Sequence, residues 1–171
     1  GIDSNRIPYN FHRINLAEFF QDCVEDVGLD LESKNIELNY SNLVDPSTRI
    51  IADPEQLKKV IDNIVGNSIK YMDKPKGVIN IRILDEVDSV RVEIEDNGKG
   101  IAAKDLGKIF ERFYRTDASR NSSTGGSGIG LSIVKKIIED HGGYIWATSK
   151  DGEGTCLHFV IRKYREAEEN E

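Results

Sequence analysis

Apolar side chains recur at i, i+3 and i+4 spacing over Leu16, Phe19, Phe20, Cys23, Val24, Val27 and Leu31. This spacing predicts an amphipathic helix with its stripe toward a core, and Asn15 with Glu18 supplies a capping pattern at its start. Short alternating runs follow at residues 36–40 and 49–52. A second helix is announced by Asp53 as N-cap, Pro54 at the first helical position and Gln56 closing the box, and should run to about Met72. Strands are expected over 78–84 and 89–95, with Ile79, Ile81, Ile83 and Val90, Val92, Ile94 facing inward and a polar turn between them. The stretch 96–127 is glycine-rich, polar and basic, with one short helical piece around 104–113; a loop of that length is usually functional or mobile. A third helix over 128–140 ends at His141-Gly142-Gly143, and strands over 144–149 and 155–162 close the chain. The order predicts an α/β sandwich, one mixed and mostly antiparallel sheet covered on one face by three helices.

Residues 1–14 are polar without a sustained period and read as a linker stub, 15–163 as the domain and 164–171 as a charged tail. With 171 residues, 38% apolar and a formal charge of −7, the chain describes one acidic domain large enough to bury its own core. It holds no run of ~20 apolar residues and no signal-peptide pattern at its start, so direct membrane contact and secretion of this chain are not expected. The acidic balance argues against nucleic-acid binding, which rests on clustered Lys and Arg. Cys23 and Cys156 have no metal-type spacing and read as two small core residues in a reducing compartment.

Four segments depart from plain structural logic. On a wheel of the second helix with Val60 at 0°, Leu57, Ile61, Ile64, Val65, Ser68, Ile69 and Met72 fall between roughly 40° and 180°, toward the core. Asn63, Asn67 and Lys70 fall at roughly 300°, 340° and 280°, a narrow polar stripe, with Tyr71 at roughly 20° on its boundary. Two Asn and Gly66 in mid-helix cost ~0.5–1 kcal/mol each relative to Ala, and broken local rules often mark a site. A solvated face that happens to carry Asn would look the same.

The second segment, Asp96-Asn97-Gly98-Lys99-Gly100-Ile101, directly follows a strand. Its glycines would let the backbone pass close to a ligand, and its carboxylate can accept hydrogen bonds from an amino group; a simple Asx turn fits equally well. The third, 124–132, is a glycine-rich loop opening a helix, a junction suited to phosphate. It is neither a Walker A loop, because Leu131 stands in the lysine's place, nor a dinucleotide fingerprint, because no strand precedes it. The fourth, Ile109-Phe110-Glu111-Arg112-Phe113-Tyr114-Arg115, lies in a region from Lys99 to Arg120 with six cations against three acids. A local excess of positive charge in an acidic chain fits a polyanionic ligand, although a basic surface helix anchored by Phe110 and Phe113 would also explain it.

In this order and spacing the segments resemble the N, G1, F and G2 boxes of the ATP-binding catalytic domain of sensor histidine kinases, within the ATPase family that includes gyrase, Hsp90 and MutL. The likeness covers about residues 16–161 and implies a Bergerat-type fold. The F-E-R-F-Y-R-T-D and G-I-G-L-S-I runs look like the phosphate- and cell-wall-sensing kinases of Gram-positive bacteria. By that resemblance Asn67 is the Mg²⁺ ligand, Asn63 sits by the triphosphate or its water, Lys70 contacts a phosphate oxygen and Tyr71 stacks on adenine. Asp96 would accept the adenine amino group, with Gly98 and Gly100 letting the base lie close, while Arg112 and Arg115 neutralise the terminal phosphates. Gly126, Gly128 and Gly130 would hinge a lid and bring helix N–H groups to the phosphates. Ile101, Phe110, Ile129 and Leu131 would complete the ATP pocket. Ser68 stands where the family often has Ala, a departure not expected to disturb the site.

The resemblance also implies partners. The acceptor box of these kinases, a histidine followed by an acid, is missing: His12 precedes Arg13, His141 precedes Gly142 and His158 precedes Phe159. These read as a linker residue, a helix C-terminal residue favoured by the dipole and a strand residue, with no metal cluster among them. The expectation is a catalytic half, monomeric as a fragment. The acceptor histidine would lie on the dimerisation domain of a homodimeric, membrane-anchored parent whose cytoplasmic portion relays phosphate to a response regulator. An anti-sigma-factor-type serine kinase shares the boxes, and a nucleotide-independent interaction module could share the fold; the intact set Asn63, Asn67, Lys70, Asp96 and Gly130 argues against the last.

Overall fold

The computed structural model describes residues 6–114 and 130–165. The chain runs β1 (His12–Asn15), α1 (Leu16–Ser33), β2 (Ile36–Asn42), β3 (Arg49–Ala52), α2 (Pro54–Lys70), β4 (Gly77–Asp85), β5 (Ser89–Asp96), α3 (Ala103–Leu106), α4 (Gly130–Asp140), β6 (Tyr144–Lys150) and β7 (Gly154–Arg162). Five strands form the main sheet in the order β2-β4-β5-β7-β6, with β2 and β4 parallel and the other pairs antiparallel. It is the mixed sheet that the sequence predicts.

Alternation decides which sheet face is covered. Ile79, Ile81, Ile83, Val90, Val92, Ile94, Leu157, Phe159 and Ile161 are buried, and they form one core with Leu16, Phe20, Cys23, Val27 and Leu31 of α1 and with Val134, Ile137 and Ile138 of α4. The intervening residues Asn80, Arg82, Glu93, Glu95, Cys156 and His158 belong to the opposite, uncovered face. Cys23 is a core residue as expected, whereas Cys156 is buried on the other side of the sheet, outside that core.

Two segments correct the sequence reading. The run at 49–52 does not join the main sheet. It pairs antiparallel with His12–Asn15 in a two-stranded sheet, so the end of the expected linker is strand. Ile7, Tyr9 and Ile14 also pack on the core, and the Tyr9 hydroxyl donates to Asp140 at 2.6 Å. At the other end the Tyr164 N–H donates to the Arg49 carbonyl at 2.7 Å, while Arg13 lies 4.4 Å over the Tyr164 ring. Among the described residues, no helix is long and apolar enough to cross a membrane.

Candidate functional site

The site is built around α2. Asp53 caps it, accepting from the Glu55 and Gln56 N–H groups at 3.0 and 3.2 Å and from Asn10 N–H at 2.8 Å. Burial pushes the Asp53 carboxyl up, but these three donors and nearby His141 outweigh it and leave its pKa lowered. The Asp53 N–H donates to His141 Nε2 at 3.1 Å, so the N-cap of α2 is tied to the residue that follows α4. Leu57, Ile61, Ile64, Val65 and Ser68 are buried, as the wheel predicts, and so is its reference Val60, whereas Ile69 and Met72 of the same arc are half-buried. Five fully buried aliphatic side chains contribute about 1.5–3 kcal/mol each, which exceeds the propensity cost of the two Asn and Gly66. Packing therefore holds the helix, and the polar stripe is free to differ. Asn63, Asn67 and Lys70 are half-buried, and neither carboxamide hydrogen-bonds to another described residue.

The helix ends at Lys70, two residues short of the expected Met72. Tyr71 leaves the helix as its C-cap, and its carbonyl accepts the Lys99 N–H at 3.1 Å. The Asp96 turn has thus replaced the next helical turn. Lys70 and Lys99 place their ammonium groups 5.3 and 5.8 Å from the centre of the Tyr71 ring.

Asp96 ends β5 and points at α2. Its Oδ2 accepts from the Ser68 hydroxyl at 2.8 Å, and its Oδ1 from Gly98 N–H at 2.9 Å and Thr155 N–H at 3.4 Å. Burial raises the Asp96 pKa, against the lowering by these three donors and with the Glu95 charge adding to the rise. Sequence reasoning noted Ser68 only as a departure that leaves the site undisturbed, and did not foresee its bond to Asp96. Its signal was present, a hydroxyl on the core arc of the wheel, since a buried polar group requires a partner.

The two glycines of this turn have a use that the motif did not reveal. A Cβ on Gly98 would lie 2.7 Å from the Tyr71 carbonyl oxygen, and one on Gly100, at φ +75°, would lie 2.4 Å from that of Lys150. The close approach that they permit is to the protein's own backbone. Lys74 closes the corner with a 2.9 Å bond to the Gly98 carbonyl, and the Ile101 N–H donates to Ser149 Oγ at 2.7 Å.

The third segment reaches the same place. An added Cβ on Gly130, the first residue of α4, would lie 4.0 Å from Asn63 Oδ1, so this helix begins beside the stripe. Leu131 and Phe110 are half-buried against the core. The fourth segment is more irregular than expected. A single helical turn, Ala103–Leu106, is followed by buried Ile109, and Phe113 is no anchor: it is 63% exposed at φ +66°. Arg112 is exposed and stacks 5.0 Å over that ring. Arg115, Gly126, Gly128 and Ile129 lie outside the described residues.

Residues 52–165 match the family described as histidine kinase-, DNA gyrase B- and HSP90-like ATPases. The chain belongs to this family. The catalytic domain of the histidine kinase ThkA superposes with a TM-score of 0.76 at 31% identity, covering 90% of this chain and 97% of that one. A second ThkA structure, of the kinase in complex with the response regulator protein TrrA, gives a TM-score of 0.73 at 30% identity over 90% of this chain and 42% of that one. The sensor histidine kinase WalK of Bacillus subtilis is 33% identical over 172 residues, which is 99% of this chain and 27% of that protein. WalK of Staphylococcus aureus is 39% identical over 110 residues, 64% of this chain and 26% of the relative, so the chain spans about a quarter of these curated relatives. As a member of the family, this is an ATP-binding domain of the histidine kinase class, and the WalK relatives come from Gram-positive bacteria, whose kinases the motifs resemble.

Proposed function

We propose that this domain holds MgATP with its γ-phosphate outward and presents it to a histidine on a separate helical dimerisation domain, for relay to a response regulator. The observation that carries the reading is one corner. A half-buried carboxylate, Asp96, is locked by three donors at the end of a stripe whose two carboxamides have no described partner. In the proposed complex Asp96 accepts the adenine amino group and Tyr71 stacks on the ring. Lys70, Arg112 and Arg115 neutralise phosphate charge, and Asn63 orients the triphosphate. Phosphoryl transfer needs mainly such positioning and neutralisation.

The oxygen of the Asn67 carboxamide suits Mg²⁺, which prefers oxygen donors and keeps most of its shell as water and phosphate oxygens. Asn67 is half-buried and without a described partner, so it is available for that contact. Bound Mg²⁺ would supply charge neutralisation at the triphosphate. We assign residues 1–14 to the connection from the dimerisation domain, with Ile7, Tyr9 and β1 docked onto this domain, and the chain to the cytoplasmic part of a membrane-anchored homodimer. His12, His141 and His158 are each followed by a residue other than an acid, so the acceptor is assigned to another domain.

Calorimetric titration with ATP, with and without Mg²⁺ and with GTP as control, tests the binding half. Selective, magnesium-sensitive ATP binding is expected. Adding the helical domain and radiolabelled ATP tests transfer. An acid-labile phosphohistidine is expected, and an acid-stable phosphoserine would turn the assignment to the serine kinase.

A further inference from the structure

The uncovered sheet face carries a second cluster that the nucleotide reading does not use. Register sets His158 on β7 opposite Glu93 on β5, and Cys156 opposite Glu95. One carboxylate oxygen of Glu93, the Cys156 sulfur and one His158 ring nitrogen lie within 4.8 Å of one another, with Glu93 and Cys156 buried and His158 half-buried. A tetrahedral metal with bonds of about 2.0–2.3 Å needs its ligands roughly 3.3–3.8 Å apart, so the side chains have about an ångström to close.

The surroundings orient each ligand. Glu93 Oε1 accepts from Arg82 at 2.9 Å, and its Oε2 faces His158 Nδ1 at 3.0 Å with Arg91 Nε behind it at 3.4 Å. His158 Nε2 lies 2.9 Å from Thr148 Oγ1, a hydroxyl that can accept its proton and so turn the Nδ1 lone pair toward Glu93 and Cys156. A histidine ligand braced through its second nitrogen is the usual arrangement at metal sites. The charges also close. Arg82 lies against Glu93, Glu95 and, at 4.0 Å, the Cys156 sulfur, and Arg91 against Glu93 and Glu86, so these two guanidinium groups and a divalent cation would together be matched by Glu86, Glu93, Glu95 and the Cys156 thiolate. Cys156, Thr148 and Glu95 line a cleft of about 490 Å³, which gives a metal and a water a way in.

We propose that Glu93, Cys156 and His158 form a site for a thiophilic divalent cation of the zinc class, with water from the cleft in the fourth position. Binding forms a metal–sulfur bond and breaks the S–H bond, and the proton leaves to solvent with no electron transferred.

The whole 171-residue chain, free of nucleotide, is titrated with Zn²⁺ and with Co²⁺. Trp146, the chain's only tryptophan, stacks on the His158 ring at 4.9 Å and reports binding by fluorescence. Co²⁺ reports the thiolate by its charge-transfer absorption. The expected result is one metal per chain, one proton released, and a fluorescence change that Mg²⁺ does not produce. Cys156→Ser should remove the thiolate band, His158→Gln should weaken binding at least ~100-fold, and Thr148→Val, a positioning change, ~10–100-fold. Cys23→Ser should change nothing. If a ligand variant fails to fold, the unaltered chain still tests the metal–sulfur bond, because bound Zn²⁺ should protect Cys156 from alkylation. No thiolate band with equimolar Co²⁺, undiminished alkylation, or wild-type affinity in Cys156→Ser would overturn the proposal.

Discussion

At Asp96 both carboxylate oxygens are already engaged, by Ser68, Gly98 and Thr155, whereas Asn63 and Asn67, one turn apart on the adjoining helix, have no described partner. The turn that carries Asp96 is pressed onto Tyr71 and Lys150 closely enough to exclude a methyl group at two positions. The stripe needs no such fit, because its helix is held from its other face by Leu57, Val60, Ile61, Ile64 and Val65. The difference teaches which half of a site must be built in advance. In the proposed complex a carboxylate that reads a flat base has to be fixed in direction, while carboxamides and a lysine that meet a hydrated, multiply charged phosphate chain can wait for it.

That contrast is open to disruption, beginning with the turn. Gly100→Ala forces a Cβ into the Lys150 carbonyl at a positive φ, and should cost about 3 kcal/mol of stability, a fall in Tm of roughly 6–12 °C. A thermal melt within a degree of the parent would show that the turn is not rigid.

Asp96→Asn separates recognition from folding. The amide can still accept from Gly98 and Thr155 and can donate to Ser68, so the fold is expected to survive. ATP affinity should drop ~5- to 150-fold, ~1–3 kcal/mol, because an acceptor-only group has been lost. Unchanged calorimetric affinity would remove Asp96 from the adenine site.

The same variant carries a pH test. The Asp96 pKa is raised above its ordinary 3.8, so the folded domain holds that proton to higher pH than the unfolded chain does. Its contribution to stability therefore falls as pH climbs from 3.8 through the raised value, and stays low above it. Stability measured against pH should show this fall in the parent but not in Asp96→Asn, once the shared opposite trend from Asp53, Glu93 and Glu95, whose pKa values are lowered, is subtracted.

The stripe should answer in the reverse sense. Asn67→Ala removes no described contact and places a better helix former in α2, so stability should stay within about 0.5 kcal/mol or rise slightly. The response of ATP binding to Mg²⁺ should nevertheless disappear. A variant that still binds more tightly with magnesium would relieve Asn67 of that role. The smallest effect is expected at Gly66, where an added Cβ meets nothing within 4 Å: Gly66→Ala should stabilise by ~0.5–1 kcal/mol. Denaturant titration measures it, and a loss of stability would mean that the groove beside Gly66 is tighter than it looks.

Local periodicity made much of this molecule legible. The i, i+3, i+4 stripe of α1, the Asp53-Pro54 start of α2 and the alternating Ile and Val of β4 and β5 are consequences of helix and strand geometry that any neighbour must accept. The wheel of α2 separated core from stripe correctly because one helix is a rigid local object. The end of that helix was misjudged by two residues, since a turn 28 residues away took over the Tyr71 carbonyl. The strand at 12–15 was missed because its partner at 49–52 supplies the pairing.

Spacing within a few turns was enough to set the elements, the sheet's inward face and the residue types of the proposed nucleotide site. The tertiary structure alone decided which distant groups meet. Ser68 gained its role only when β5 delivered Asp96 to it, and Gly98 and Gly100 proved to be needed by the protein's own carbonyls. Cys156 and His158, two apart on one strand, are a pattern too common to mean anything until Glu93 is paired against them. A hydrogen bond or a ligand set depends on positions to a few tenths of an ångström, and only the packing of the sheet against its helices, and of its strands against one another, fixes positions that well.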